Sequence, residues 1–247
     1  MFVHACLHCC LSYLTCFGCA KLFRNLRIAV FAAALDGLAV PENSGTITLE
    51  TFPAVFSEQE EARCTKVAKQ CDLLISCERA GPGKDGNCYT MRGIDMNAKG
   101  LIAPLHRLVE EANCKTISIG DGGNELGMGK VIDKIINNPK ISNGDLIGCV
   151  VPADYLIAAS VSNWGGYALS AAAAVARAGL EGKSASLQTL VDRCLPSEEE
   201  EIALLDRCVA AGCRDGVSGK MESTVDGMPL ETSLACLGDI RKAALTA

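Results

Sequence analysis

Short apolar runs of strand length alternate with helix-length segments through most of this chain. Residues 72–77 (D-L-L-I-S-C), 116–120 (T-I-S-I-G), 146–151 and 155–161 read as buried strands. Between them, residues 57–69 have the pattern of a polar helix. Residues 104–112 place Leu105, Leu108, Val109 and Ala112 on one helical face, with Pro104 in the first turn. Val131, Ile132, Ile135 and Ile136 mark a helix that ends near Asn138-Pro139, and residues 165–178 form an Ala-rich helix. Ser197-x-x-Glu200, after Pro196, is a capping box that opens a helix to Ala211. A last loop at 214–227 precedes a helix from about Leu230. Near the start, an Ala-rich apolar run at 28–35 reads as a helix stopped by Gly37; residues 41–57 are turn-rich, with a short strand at 46–49. No internal repeat is evident.

Alternation of this kind predicts an α/β fold: a mostly parallel sheet with helices on both faces and ligand loops at the strand carboxyl ends. That rule directs attention to three loops, at 78–97, 120–129 and 162–167.

Composition narrows the class. The chain has 247 residues, 49% of them hydrophobic and 21% charged, which suits one large globular domain. A net charge of −6 argues against a nucleic-acid partner, because no basic surplus exists to neutralise phosphates. Local donors would have to supply the field for a small anionic ligand. The 15 cysteines are odd in number, and Cys77, Cys149 and Cys208 sit inside apolar runs. They read as small buried hydrophobes in a reducing compartment, not as a disulfide framework.

Residues 1–20 are uncharged and rich in Cys, Leu and Phe, followed by Lys21, Arg24 and Arg27. A signal peptide would need a basic start, and the length only just reaches the ~20 apolar residues of a membrane anchor. Cys6-x-x-Cys9 and Cys16-x-x-Cys19 are spaced too closely for the usual zinc ribbon. A transit peptide fits the absence of acids but not the scarcity of Ser and Arg. The expectation is an atypical Cys-rich leader at 1–27 ahead of a domain at 28–247, with no membrane role.

The most chemical segment is Gly120-Asp-Gly-Gly-Asn-Glu-Leu-Gly-Met-Gly129. Five glycines in ten positions allow close approach of backbone to a ligand, and Gly122, Gly123 and Asn124 lie where free amides could bind an anion. Asp121 and Glu125 suit a divalent cation such as Mg²⁺ or Mn²⁺, a substrate ammonium, or general acid–base work. The dinucleotide fingerprint fails at Glu125, and the P-loop fails at Asn124 and Val131. A tight turn with solvated acids is the competing explanation. In the 162–167 loop (S-N-W-G-G-Y), Asn163 can donate and accept, Gly165 and Gly166 would expose amides, and Trp164 reads as a packing anchor. In the first loop, Glu78 directly follows a buried strand, while Arg79 and Arg92 could each hold a carboxylate bidentately. His106, on a helix face, reads as structural.

Taken together, E-R-A-G-P-G-K-D-G-N-C-Y-T-M-R-G, G-D-G-G-N-E-L-G-M-G-K-V and V-S-N-W-G-G-Y-A-L resemble the D-glutamate cyclase family. Arg214-Asp-Gly-Val-Ser-Gly219 with Val225-Asp-Gly-Met-Pro229 is similar to its closing motif. The likeness runs from about Ile28 to the C-terminus. It implies conversion of D-glutamate to 5-oxo-D-proline with loss of water, and a mitochondrial matrix setting, with the cytoplasm as the alternative. A homo-oligomer is compatible with it. On this reading Asp121 or Glu125 takes a proton from the ammonium, Glu78 protonates the departing oxygen, and Arg79, Arg92 or the Gly165–Gly166 amides hold the α-carboxylate. Family members carry a strand and a loop of the type E-x-D-G-P-x-G-A before the helix at 28–35; here the Cys-rich leader occupies that place. Two other functions stay open: a carboxylate- or phosphate-binding module without turnover, and an inactive truncated variant.

Overall fold

The computed structural model describes residues 20–24, 47–182 and 186–247. The readings for most of the leader, for the helix at 28–35 and for the turns before residue 47 lie outside the described residues. By internal contacts the chain divides into two compact units, one mainly Leu49–Ser162 and the other mainly Asn163–Ala247. Strands β1 (Ala20–Arg24) and β2 (Ile47–Thr51) pair in a two-stranded sheet.

The first unit is built on a three-stranded sheet of β3 (Leu73–Cys77), β4 (Lys115–Gly120) and β5 (Tyr155–Ala158), in that order and parallel throughout. This is the parallel α/β architecture expected from the apolar runs. β4, in the middle, has Ile119 and Ser118 fully buried. β5, at an edge, leaves Tyr155 largely exposed. Asp154 fixes the start of β5 against β4 by accepting from the Thr116 amide at 2.9 Å and from Lys115 Nζ at 2.8 Å. Those bonds pull its carboxyl down to a pKa of about 2.

Helix α1 (Glu58–Gln70) starts where Ser57 accepts a hydrogen bond from the Glu60 amide, a cap that contributes about 1 kcal/mol. Three acids in its first turn and Lys69 in its last suit the helix dipole. Its buried face of Cys64, Val67 and Ala68 packs with α2 (His106–Glu111), which contributes Leu108 and Val109 to the same core. Arg107 reaches back from α2 to Glu61 at 3.0 Å.

Two elements differ from the sequence pattern. Residues 146–151 do not form a strand. A short helix α4 (Gly144–Ile147) is followed by extended chain whose groups bond to loops: Cys149 donates to the Gly123 carbonyl, Val150 to that of Pro82, and the Val151 carbonyl accepts from Gly127. The run is apolar because loops bury it. The helix after the glycine loop is only α3 (Ile132–Ile136), entered through a 3₁₀ turn at Gly129–Val131.

The part of the second unit from Asn163 on is mainly helical among the described residues. It contains nearly all of α5 (Ser162–Glu181), with α6 (Leu187–Cys194), α7 (Glu198–Ala210) and α8 (Leu230–Leu245). The capping box at Ser197 and Glu200 is formed in both directions. Tyr167, Val191, Leu195 and Leu237 centre the core. Trp164 is partly buried there and donates from Nε1 to Ser233 at 3.2 Å, a packing role. All ten cysteines among the described residues are free. Among those residues no helix is long and apolar enough to cross a membrane.

Candidate active site

The parallel register brings three strand ends together. Cys77 pairs with Ile119 and Gly120 with Ala158, so the residues following β3, β4 and β5 emerge side by side. The ladder runs one bond further on each side, Glu78 N–H to the Ile119 carbonyl and Ala159 N–H to that of Gly120. Glu78 and Asp121 therefore leave the sheet at the same end, the carboxyl end of its strands. Ligand oxygens of Glu78, Asp121 and Glu125 all lie within 4.8 Å of one another.

Each acid is held differently. Glu125 is 3% exposed, and the amides of Gly122 and Gly123 donate to its two oxygens at 2.8 and 2.7 Å. Burial pushes its carboxyl above the ordinary glutamate range, and the neighbouring Asp121 charge pushes it further, against the opposing pull of the two amides. Asp121 accepts from the backbone amide of Ser162 at 3.0 Å. Glu78 is hydrogen-bonded to the Ser162 hydroxyl and sits at φ 51°, a left-handed backbone that non-glycine residues adopt only at some cost.

The glycine loop folds onto the loop that follows β3. Leu126 donates to the Arg79 carbonyl at 2.8 Å, Gly81 to the Asn124 carbonyl at 2.9 Å, and Asn124 Nδ2 to the Tyr89 carbonyl at 2.6 Å. Close packing restricts the loop's glycines to different degrees. A Cβ on Gly122 would stand 2.6 Å from Sδ of the exposed Met91, a side chain that can move aside. At Gly127, where φ is +92°, a Cβ would stand 2.2 Å from the Ser118 Cβ.

Several residues singled out in the sequence are placed otherwise than its pattern suggested. The amides of Gly122 and Gly123, read there as an anion cradle, are engaged by the loop's own Glu125. Asn124 is spent on holding the Tyr89 carbonyl. Arg79 donates to the Ala103 carbonyl, and its buried Nε has no hydrogen-bond partner. Burial draws its guanidinium down to a pKa of about 10. Arg92 is exposed. Asn163, Gly165 and Gly166 lie not in a loop but within the first five residues of α5; Asn163 is buried with Nδ2 unpartnered. His106 is partly buried, its imidazole pushed down by burial. Ser162 and Met91 had not been singled out. The signal for Ser162 was its place, a serine at the junction of an apolar run and an Ala-rich helix.

Two partly buried carboxylates, Glu78 and Asp121, beside the buried Glu125 of raised pKa form a site that can accept and return protons within one small volume. The same oxygens are a ligand set for a hard divalent cation.

Comparison with known proteins shows the family. The family model described as D-glutamate cyclase-like, C-terminal, matches residues 18–241. A human protein named D-glutamate cyclase, mitochondrial, is 38% identical over 178 residues, spanning 66% of this chain and 28% of that relative. The match thus covers little more than a quarter of the human protein's length.

Proposed function

The chain belongs to the D-glutamate cyclase-like, C-terminal family, and from that premise we propose that it is a lyase closing D-glutamate to 5-oxo-D-proline with release of water. The observation that carries the reading is the clustering of Glu78, Asp121 and Glu125 at the carboxyl ends of the parallel strands.

The reaction sets the requirements. The α-nitrogen attacks the γ-carboxyl carbon; a C–N bond forms and a C–O bond breaks. The substrate ammonium carries three hydrogens, and the lactam nitrogen keeps one. Two protons must therefore travel from nitrogen to the departing oxygen, which leaves as water. Asp121 is the base that takes the first, freeing the nitrogen lone pair. Glu125, biased by burial towards its protonated form, supplies a proton to the oxygen and is reprotonated from the nitrogen side. Glu78 passes the proton taken by Asp121 on to the same oxygen, which leaves as water with Asp121 and Glu125 restored, and it balances the ammonium charge in the bound state. No serine or cysteine nucleophile enters this scheme, and the buried Cys88 and Cys149, with pKa values raised to about 11 and 12, suit structural roles.

A second reading is favoured by the oxygen–oxygen spacing. Glu78, Asp121 and Glu125 would hold Mg²⁺ or Mn²⁺, which would offset the γ-carboxylate charge as a Lewis acid. Chelation decides between the two: the proton relay alone predicts an unchanged rate, and the cation predicts loss restored by Mg²⁺ or Mn²⁺.

The test of function is incubation with D- and L-glutamate and chromatographic assay of 5-oxoproline. Turnover of the D-isomer supports the lyase. Thermal stabilisation by D-glutamate without product would instead make this a binding module. The relative's name places the human protein in mitochondria, and the same location is proposed for this chain, tested by following a fluorescent fusion in cells.

A further inference from the structure

Every acid of the cluster is gripped by a neutral donor, and two of the three grips come from one residue. Glu125 is held by the amides of Gly122 and Gly123, in its own loop. Glu78 and Asp121 come from different strands, and both are bound by Ser162, which follows a third. Ser162 is 0% exposed and is the first residue of α5, a helix of 20 residues, so both its donors are fixed in direction.

Without such a hold the geometry would be costly. Carboxylate oxygens within 4.8 Å of one another repel when more than one is ionised, and a glutamate side chain has the freedom to turn away. Glu78 also carries the left-handed backbone, at φ 51°, that aims it from the end of β3. A strained residue keeps such a conformation when its surroundings over-determine it. Here the bond from its own amide to Ile119 and the bond from its carboxylate to Ser162 do so.

We propose that Ser162 is a positioning residue of this site, its hydroxyl fixing Glu78 and its backbone amide fixing Asp121 so that the two carboxylates converge on one substrate. The proposal rests on the cyclase reading for its catalytic consequence and on geometry alone for the positioning. Ser162→Ala removes the hydroxyl and leaves the amide. The Glu78 carboxylate then loses the bond that aims it at Asp121, while the amide bond to Asp121 remains.

The experiment pairs steady-state kinetics on D-glutamate with crystal structures of the wild type and Ser162→Ala. The expected result is a fall of about 10–100-fold in kcat, the scale of a misplaced reacting group, with KM changed less than about threefold. In the variant crystal the Glu78 carboxylate leaves Asp121 and Glu125. Ser162→Cys, close in size but a weaker donor, gives an intermediate kcat and serves as the test variant should the alanine protein fail to fold. A variant with wild-type kcat, or one whose Glu78 stays in place, overturns the proposal. Absence of 5-oxoproline from the wild type would sink the cyclase reading by itself; the position of Glu78 in the two crystals then decides the role of Ser162.

Discussion

The amide of Gly123 donates to Glu125 Oε2 at 2.7 Å, so the loop's own backbone holds the one carboxylate of the cluster that is almost shut off from solvent. The glycine-rich segment therefore builds its own buried acid. Glu125→Gln keeps an oxygen for one amide but removes the proposed proton carrier. The expected outcome is a folded protein with kcat lower by about 10²–10⁴, the range for losing a general acid or base. Circular dichroism and 5-oxoproline kinetics check it. Unchanged kcat would assign Glu125 to loop structure alone.

Gly127 and Gly86 both have positive φ, yet only Gly127 is crowded. Gly127→Ala must displace Ser118 in the central strand, and is expected to destabilise the protein by about 2–4 kcal/mol. Gly86→Ala, with nothing within 4 Å, carries only the backbone strain, about 1 kcal/mol. Urea unfolding of the two variants measures the contrast; equal losses would mean that contact with Ser118 is irrelevant.

Tyr167 donates to Glu201 Oε1 at 2.6 Å, and both side chains are fully buried. Glu201 Oε2 has no hydrogen-bond partner, and Cys208 on the same helix is the nearby thiol. Burial raises the Glu201 carboxyl to a pKa of about 7, against the opposing Tyr167 bond. The folded state thus keeps a proton that the unfolded chain releases near 4.5. Stability from this group is full below about pH 4.5, falls as pH rises towards about 7, and then levels off. The loss amounts to about 3 kcal/mol. Glu201→Gln keeps an acceptor for Tyr167 and is expected to unfold at higher urea than the wild type at pH 8, with the difference vanishing near pH 4.5. A pH-independent difference would contradict this.

The sheet was readable because its strands are short, apolar and bounded by turn residues, and the capping box at Ser197 was readable because two named side chains satisfy each other's backbone. The run at 146–151 was misread for a physical reason: loops bury an apolar segment as well as a sheet does, and periodicity cannot separate the two. Asp121, Glu125 and Glu78 were legible as acids next to glycines or strand ends. Ser162 was not, since its value comes from being delivered beside residues 41 and 84 positions away. The glycine amides were misassigned because sequence shows donors but not that Glu125, two or three residues on, takes them.

The most direct test of the account is the rate of 5-oxo-D-proline formation from D-glutamate by the wild type and by Asp121→Asn, measured side by side. The account predicts turnover by the wild type and a loss of at least about 100-fold in kcat for the variant, since the base and one member of the cluster are gone. No product from the wild type under conditions where the human relative is active, or equal rates for the two proteins, would contradict it.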